Sequence, residues 1–452
     1  MSLTTTRSSI ESATDEHLPP VDPARVCAAW AASGEFGDHV VYEQARRWTF
    51  AGGVRARIIL TASGAQVAHG EMIVEYPAAA SPATTLATVL AELDIPDWRV
   101  FGWVGFDFCA DHYAASAHVG RDAVLAHLIV PEFEAVVDDA GIDTGNADPV
   151  TAARLFEIAA AEFTPGKASP VAVGLDADDY RGRVATAIEE IGNGAYAKVI
   201  LSRQVPIPFA VDMPATYALG RAGNNPARSF LLSLDGFAAA GFSPELVVAV
   251  DAERGVVTEP LAGTRALGRS AELDASARDE LRTDAKEIAE HAISVRACFE
   301  EIASVATAGS TAVSEFMVIR ERGSVQHLAS TVRGMLSEEA DAWQALAVLF
   351  PSITASGIPK APAIDAIYRL EPHRRGLYSG AVLTASSAGD LEATLALRTV
   401  YSEGERSWLC AGAGVVGQST PDREFEETCE KLASVAPFVV AASPRAAAGE
   451  LS

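Results

Sequence analysis

The chain has 452 residues, of which 49% are hydrophobic, and a formal net charge of −25 at pH 7. Such an acidic chain has no basic surplus to neutralise phosphates, which excludes nucleic acid as an expected partner. No apolar run reaches ~18 residues and the N-terminus has no apolar export signal, so we expect a globular, cytoplasmic protein without membrane insertion. The five scattered cysteines predict reduced, mostly buried thiols.

The ends of the chain differ in composition from its body. Residues 1–22 are rich in Ser and Thr, end in Pro-Pro and predict a disordered tail, and 441–452 are predicted as a C-terminal tail. We predict one domain over 23–440, with a variable N-terminal half (23–175) and a second half (176–440) that carries the motifs below. The moderately polar stretch 138–176 is predicted to link the two halves.

Short apolar runs separated by turn residues predict strands and hairpins over most of the chain. They occur between 40 and 110 and again at 198–203, 229–234, 246–250 and 256–259, with hairpins at 317–320/325–335 and 393–402/406–411. A helix is predicted at 180–193, before Gly194. Hairpins interleaved with a few long helices predict an α+β fold with large, mostly antiparallel sheets packed against helices, rather than a parallel doubly wound sheet.

Two acidic segments, 285–306 and 420–436, carry strong helical periodicity. Apolar residues recur in each at helical spacing and predict one buried stripe per helix. The stripes are Ile288, Ala292, Val295, Phe299 and Ile302 in the first helix, and Phe425, Cys429, Leu432 and Ala436 in the second. Thr420 followed by Pro421 predicts the N-cap and first position of the second helix.

The charged residues of both helices are predicted to lie on a polar flank beside the stripe. The flank comprises Glu287, Glu290, His291 and Ser294 in the first helix, and Glu424, Glu427 and Lys431 in the second. Four carboxylates brought together would repel one another unless a cation lay between them. Because oxygen ligands suit Mg²⁺ or Mn²⁺ better than Zn²⁺, the two Glu-x-x-Glu pairs predict a magnesium site. The alternative is a pair of solvated helix faces.

Lys198 and Glu245 are candidates for general base and general acid. Lys198 opens an otherwise apolar strand, and a desolvated lysine near neutral pH is uncharged and can accept a proton. Glu245 follows a turn in Gly241-Phe-Ser-Pro-Glu245. In an apolar pocket such a carboxyl stays protonated and can donate a proton. The alternatives are a strand-end lysine that reaches water and a solvated glutamate.

His327 and Arg398 are predicted on strands. His327 shares a strand face with Ala329, where a histidine is more often a satisfied core residue than a catalyst. Arg398 is predicted to alternate inward with Ala396 and Val400. An arginine among small apolar neighbours needs an anionic partner, either structural or a ligand.

The run Gly412-Ala-Gly414-Val-Val-Gly417 matches the dinucleotide-binding pattern G-x-G-x-x-G. The context does not fit that motif, because three residues separate Gly417 from Pro421, where the next helix is predicted to begin. No strand ending in an acidic residue follows either. We therefore expect these glycines to expose backbone N–H groups to an anion.

Taken together, the motifs resemble the chorismate-utilising enzymes and, within them, the salicylate synthases of siderophore pathways. The similarity is dense over 180–437 and thinner before that. The runs that carry it are Lys198-Val-Ile-Leu-Ser-Arg203, Gly241-Phe-Ser-Pro-Glu245, Glu259-Pro-Leu-Ala-Gly-Thr-Arg265, Lys286-Glu-Ile-Ala-Glu-His291, Ser324-Val-Gln-His327-Leu328, Gly376-Leu-Tyr-Ser-Gly380, Ala411-Gly-Ala-Gly414 and Glu424-Phe-Glu-Glu427 through Lys431.

The resemblance implies a Mg²⁺-dependent conversion of chorismate to isochorismate and then to salicylate and pyruvate. It implies Mg²⁺ held by Glu290 and Glu427, with Glu287 and Glu424 close by or acting through water. It also implies Lys198 as base toward water and Glu245 as acid. The implied substrate-binding residues are Gly263, Thr264, Tyr378, Arg398, Gly412, Gly414 and Lys431, with His327 completing the wall of the site.

Further expectations follow from the resemblance, and three other interpretations stay open. Lys198 stands where amine-adding relatives carry glutamine, so water is the implied nucleophile, no glutamine amidotransferase subunit is expected, and a monomer is predicted. The alternatives are an isochorismate synthase that releases its intermediate, a non-catalytic acidic metal-binding or interaction protein, and an NAD-dependent reductase.

Overall fold

The computed structural model describes residues 22–268, 270–322 and 325–443. Of the predicted tails, 1–21 and 444–452 lie outside the described residues. Asp22 is described, and it belongs to the first helix as its N-cap, because its side chain accepts hydrogen bonds from the backbone amides of Ala24 and Arg25.

Helices in the described residues often begin with an Asp or Ser N-cap followed by proline in the first turn. This arrangement occurs at α1, α2, α3 and α5 and satisfies amide groups that have no partner within the helix. The helices are α1 Pro23–Ala32, α2 Pro82–Ala91, α3 Pro149–Ala160, α4 Tyr180–Gly192, α5 Met213–Gly223, α6 Ala271–Thr283, α7 Ala285–Val305, α8 Ala342–Leu349, α9 Lys360–Leu370 and α10 Pro421–Leu432.

The strands lie between these helices, often several in succession. They are β1 His39–Gln44, β2 Arg47–Gly52, β3 Ala56–Thr61, β4 Gly64–His69, β5 Met72–Pro77, β6 Arg99–Val104, β7 Val124–Val130, β8 Phe133–Asp138, β9 Gly141–Asp143, β10 Lys198–Ile207, β11 Arg228–Leu234, β12 Phe237–Ser243, β13 Leu246–Val250, β14 Gly255–Thr258, β15 Leu261–Ala266, β16 Ala312–Arg322, β17 Val325–Met335, β18 Gly357–Ile358, β19 Ala381–Ser386, β20 Leu391–Leu395, β21 Thr399–Glu403 and β22 Arg406–Val415.

The strands form two sheets. Sheet I has ten strands in the order β18-β10-β22-β21-β12-β11-β1-β2-β8-β9. Sheet II has twelve, in the order β15-β17-β14-β13-β20-β19-β6-β7-β3-β4-β5, with β16 also paired to β17. The pairings between these strands are antiparallel, for example β10 with β22 and β15 with β17. The predicted α+β fold with large antiparallel sheets is confirmed, and each sheet combines strands from both halves of the chain.

The sheets pack face to face, with helices on their outer faces. Side chains alternate between the two faces of β1, and on one face Val40 and Tyr42 share a core cluster with Phe101 of sheet II. Val41, on the opposite face of β1, joins a second cluster with Trp30 of α1. The sequence of β1 is apolar on both faces because both are covered.

Two regions differ from the sequence prediction. The expected linker 138–176 contains α3, in which Leu155 is fully buried. The backbone carbonyl of Leu155 accepts a hydrogen bond from the Trp30 indole at 2.9 Å. The strand expected over 393–402 is two strands, since β20 belongs to sheet II and β21 to sheet I. The chain crosses between the sheets here, which a single run of alternating residues does not reveal.

The cysteines match the prediction of reduced, mostly buried thiols. All five are free, and Cys27, Cys109, Cys298 and Cys410 are buried. None of the helices in the described ranges combines the length and apolar character needed to cross a bilayer.

Candidate active site

Lys198 is the first residue of β10, where this strand lies between β18 and β22. Its ammonium donates a hydrogen bond to Glu290 Oε2 at 2.9 Å, and its side chain is 17% exposed. Helix α7 therefore brings a carboxylate to the strand end, and the uncharged amine expected from burial stays a prediction.

Gly412 and Gly414 lie within β22, opposite Ser202 and Ile200 of β10. The strand predicted at 406–411 extends through these two glycines to Val415, and the next helix begins only at Pro421, which does not fit the dinucleotide-binding motif. A Cβ at Gly414 would lie 3.0 Å from Lys198 Cε, and one at Gly412 would lie 2.9 Å from the Tyr378 hydroxyl. Glycine is needed at both positions because two site residues lie directly over the strand.

Glu245 lies between β12 and β13, where the chain passes from sheet I to sheet II. It is 2% exposed. Its Oε1 accepts hydrogen bonds from Ser352 Oγ at 2.5 Å and Thr354 Oγ1 at 3.1 Å, whereas Oε2 is buried without a hydrogen-bond partner in the described part of the chain. Burial raises the pKa of Glu245 to about 8, and the two hydroxyl groups offset only part of this effect. The carboxyl stays protonated at neutral pH, as predicted.

One short segment joins Lys198 to Glu245. Thr354 bonds the Glu245 carboxyl, and the same segment continues into β18, where Ile358 pairs with Lys198. The backbone amide of Ile200 also donates to the carbonyl of Ser356 at 2.8 Å. The candidate base and acid therefore flank the segment 352–358.

His327, Thr264 and Gly263 lie together at the edge of sheet II. Thr264 is opposite His327 in the pairing of β15 with β17, and Thr264 Oγ1 lies 3.0 Å from His327 Nδ1. Gly263 has a positive φ of 71°, and a Cβ there would lie 3.0 Å from Glu287 Oε2. This edge therefore meets the N-terminal end of α7.

Tyr378 and Arg398 lie near the crossing between the sheets. Tyr378 is 3% exposed, and burial raises its pKa above the usual tyrosine value. Arg398 lies between β20 and β21 with φ of 51°, and its carbonyl accepts a hydrogen bond from the amide of Phe242 at 3.2 Å. The predicted inward alternation of Arg398 along one strand is wrong, because the strand ends before it.

Helix α7 has the predicted position but a rotated buried face. Phe299 of the predicted stripe is 37% exposed, whereas His291, assigned to the polar flank, is fully buried. His291 Nε2 lies 2.6 Å from Ser330 Oγ of β17, and burial lowers the pKa of His291 to about 4. The residues buried along α7 are His291, Ser294, Val295, Cys298 and Ile302. Sheet II thus supplies a hydroxyl partner that lets a histidine enter the core.

Helix α10 begins after Thr420, as predicted, and ends at Leu432 rather than at Ala436, which starts a short 3₁₀ turn. Phe425 and Leu432 are buried, and the neighbouring Glu424 is 7% exposed. Lys431 donates hydrogen bonds to the Gly412 carbonyl at 2.8 Å and forms an ion pair with Glu427 at 2.9 Å. This places α10 beside the glycines of β22.

Basic side chains compensate the four glutamates of α7 and α10. Glu290 pairs with Lys198 and, at 3.7 Å, with Lys286, while Glu287 pairs with Arg265 at 3.0 Å. Burial raises the pKa of Glu424, and the nearby charge of Glu427 adds to this effect.

Glu427 shows the opposite balance. Burial acts to raise its pKa, but the ion pair with Lys431 outweighs this, and the charges of Arg423 and Lys198 lower the pKa further. Lys198 thus contacts Glu290 of α7, and its charge lowers the pKa of Glu427 of α10. The two acidic helices lie on either side of this lysine.

The donor set of these glutamates suits a hard divalent cation, since it offers carboxylate oxygens only. Within 22–268, 270–322 and 325–443, however, no three His, Cys, Asp or Glu side chains converge as a ready metal cluster. Glu287, Glu290 and Glu427 each pair with a basic group instead, and Glu424 is buried with a raised pKa. The residues therefore fit Mg²⁺ by chemistry, and binding it requires the glutamate side chains to turn toward one another.

Sequence reasoning gave no role to several residues of this site. Ser352 and Thr354 hold Glu245, Arg265 holds Glu287, and Lys286 lies beside Glu290. The available signal for the first pair was two hydroxyl residues, Ser352 and Thr354, within three positions of Pro351. Ser352 lies 107 positions from Glu245 in the chain, so no local pattern joins them.

Comparison with known proteins gives one family over most of the chain. The family model described as chorismate binding enzyme matches residues 38–437. The salicylate synthase of Mycolicibacterium paratuberculosis is 44% identical over 432 residues, which is 94% of this chain and 95% of that protein. An anthranilate synthase component 1 of Halobacterium salinarum is 38% identical over 264 residues, covering 58% of this chain and 50% of that protein.

Solved structures share the fold. Anthranilate synthase component I from Streptococcus pneumoniae superposes with a TM-score of 0.73 at 25% identity, covering 87% of this chain and 92% of that one. The menaquinone-specific isochorismate synthase from Escherichia coli gives a TM-score of 0.69 at 21% identity, covering 91% and 90%. The second likeness supports the fold alone.

Proposed function

This chain belongs to the chorismate-binding enzyme family, and we propose that it is a salicylate synthase that converts chorismate to isochorismate and then to salicylate and pyruvate. One observation carries the proposal, namely a lysine and a buried, protonated glutamic acid on either side of one segment. The similarity to a salicylate synthase along 94% of the chain selects this activity within the family.

The first step exchanges a hydroxyl group on the ring. Lys198 removes a proton from water, and the water oxygen forms a bond to ring carbon C2 while the double bonds shift. The bond from C4 to its hydroxyl breaks, and Glu245 supplies the proton that lets this group leave as water. The ring composition is unchanged, so the product is the isomer isochorismate.

The second step removes the enolpyruvyl group. The hydrogen on C2 moves to the enolpyruvyl methylene carbon as the ether bond at C3 breaks, which releases pyruvate and leaves an aromatic ring. This rearrangement needs a held conformation rather than an acid or base. We assign that positioning to Tyr378, Arg398, Lys431 and the backbone of Gly412 and Gly414, with Gly263, Thr264 and His327 on the sheet II side.

We assign the binding of Mg²⁺ to Glu290 and Glu427, with Glu287 and Glu424 beside them. When bound, the ion offsets the charge of a substrate carboxylate and of the glutamates in a protein of net charge −25. Lys198 acts as base only after it gives up its ion pair with Glu290. The two roles are compatible, because a Glu290 that held Mg²⁺ would no longer be available to pair with Lys198.

Several wider expectations belong to the same proposal. Water as nucleophile means that the chain works without a glutamine amidotransferase subunit, and we propose a cytoplasmic monomer. Salicylate is a component of siderophores, and we propose siderophore biosynthesis as the use of the product. Turnover by the purified chain without glutamine or ammonia tests whether water is the nucleophile. The sedimentation coefficient of the active protein tests whether it is a monomer.

The test of function is incubation of the purified chain with chorismate, with Mg²⁺ or with EDTA. We expect salicylate, followed by its fluorescence, and equal amounts of pyruvate with Mg²⁺ only. Accumulation of isochorismate without salicylate would instead identify an isochorismate synthase, which shares the first step. Unchanged chorismate in the presence of Mg²⁺ would contradict both activities.

A further inference from the structure

The hydroxyl groups around Glu245 distinguish the two oxygens of its carboxyl. Building on the proposed function, we propose that Ser352 is a positioning residue that binds Oε1 of Glu245 and so leaves Oε2 as the oxygen that carries and delivers the proton. Ser352 is 8% exposed and touches Glu245 through its hydroxyl at 2.5 Å.

The direction of the Ser352 hydrogen bond follows from its other contact. The backbone amide of Thr354 donates to Ser352 Oγ at 3.3 Å, so this oxygen already accepts one bond. The hydroxyl hydrogen is free to point to Oε1 of Glu245. If Oε1 carried the proton, Ser352 would have to accept a second bond, and its buried hydroxyl hydrogen would lose its acceptor, which is unfavourable.

Thr354 is the weaker determinant. Its single hydroxyl hydrogen lies between two acceptors, Glu245 Oε1 and the carbonyl of Leu261, both at 3.1 Å. The Leu261 carbonyl has no hydrogen to give, so it competes with the carboxyl for the Thr354 hydrogen. Ser352 therefore fixes the carboxyl, and Thr354 assists.

The backbone of Glu245 is held separately from its side chain. Its carbonyl accepts hydrogen bonds from Ser243 Oγ at 3.2 Å, Thr394 Oγ1 at 3.0 Å and the amide of Leu395 at 3.1 Å. Loss of the Ser352 hydroxyl therefore leaves the backbone in place and frees the rotation of the carboxyl. Oε2, buried without a partner among the described residues, is the oxygen left for the substrate.

This arrangement predicts a distinctive change in Ser352→Ala. The carboxyl loses its orientation, so kcat falls roughly tenfold to a hundredfold, with KM within about twofold. Burial is the main cause of the raised pKa of Glu245 and the charge of Glu259 adds to it, whereas the Ser352 and Thr354 bonds and the charge of Lys360 oppose it. Loss of the serine bond therefore raises the pKa above about 8. An acid works while protonated, so activity persists to higher pH in this variant than in the wild type.

The experiment compares the wild type, Ser352→Ala, Ser352→Thr and Ser356→Ala. Ser356 is the matched control, since it is also buried in the same segment and its hydroxyl donates to the Ser352 carbonyl at 2.9 Å rather than to Glu245. We expect slower turnover and a later loss of activity with pH in Ser352→Ala, recovery in Ser352→Thr, and a wild-type pH profile in Ser356→Ala.

An infrared titration gives a readout that does not depend on turnover. The carbonyl stretch of protonated Glu245, identified by its absence in Glu245→Gln, should disappear at higher pH in Ser352→Ala than in the wild type. An unchanged midpoint, or an equal shift in Ser356→Ala, overturns the role of Ser352 even if chorismate is converted. Unconverted chorismate with a shifted midpoint overturns the proposed function and leaves the carboxyl orientation supported.

Discussion

The acid and base sides of the site control protons by opposite means. Glu245 is 2% exposed and its carboxyl bonds only to hydroxyl groups, so burial is the main reason that it stays protonated, with Glu259 adding to this effect and Lys360 opposing it. Lys198 is 17% exposed and lies among the glutamates of α7 and α10. Glu245 depends mainly on burial and Lys198 on its ion pair with Glu290, so we expect each side to respond to different substitutions.

Removal of the Lys198 amine is the most severe way to break the base side. We expect Lys198→Ala to lower kcat at least about a thousandfold, because water loses its only assigned base. Lys167→Ala, at an exposed lysine outside the site, is the control. Steady-state turnover of chorismate measures the effect, and a Lys198→Ala rate close to that of the control would remove the base from this position.

Removal of the acid proton of Glu245 should lower kcat somewhat less than removal of the Lys198 amine. Glu245→Gln keeps the shape and the hydroxyl contacts but has no transferable acid proton, so we expect kcat to fall about a hundredfold to a thousandfold. Glu253→Gln, an exposed glutamate in the turn after β13, is the control. Turnover by Glu245→Gln at the wild-type rate would mean that the C4 hydroxyl leaves without this acid.

The metal proposal sharpens the base side. Glu290→Gln and Glu427→Gln each remove one anionic oxygen ligand, and we expect Mg²⁺ affinity to fall about tenfold to a hundredfold. Glu430→Gln is the control on α10, since Glu430 pairs with Arg423. Calorimetric titration of the free protein with Mg²⁺ measures this directly. Equal affinity in all four proteins would contradict a site shared by both helices.

The smallest expected effect concerns stability and isolates the acid side. The pKa of Glu245 is raised to about 8 in the folded chain, so its contribution to stability is complete below the unfolded-state pKa and is lost as pH rises toward 8. Glu245→Gln has no carboxyl at this position, so it does not lose this contribution to stability as pH rises. We expect its melting temperature to rise relative to the wild type between pH 5 and pH 8, and a difference independent of pH would show that Glu245 is not held protonated.

The sequence predicted the parts of this molecule that depend on local pattern. Periodicity placed α7 and α10 within a few residues, and alternating apolar runs located strands such as β10 and β13. Glu245 could be singled out because it follows Gly241-Phe-Ser-Pro between two apolar strands, but its burial was one of two open alternatives. The fold class followed from the same signals.

Long-range contacts account for what the sequence could not give. His291 is buried because Ser330, on a strand 39 positions away, bonds its ring. Arg398 leaves its predicted strand because the chain changes sheets there, which depends on how the sheets pack. The ion pair of Lys198 is formed with Glu290, 92 positions away. Each case depends on contacts between distant parts of the chain, on which hydrophobic periodicity carries no information.

The direct test of the account is turnover of chorismate in water labelled with heavy oxygen. If Lys198 directs water to C2 and Glu245 releases the C4 hydroxyl, the phenolic oxygen of salicylate comes from solvent. We therefore predict salicylate that carries one labelled oxygen, while its carboxylate carries none. Unlabelled salicylate would mean that the hydroxyl never exchanges with water, and it would contradict the roles of both residues.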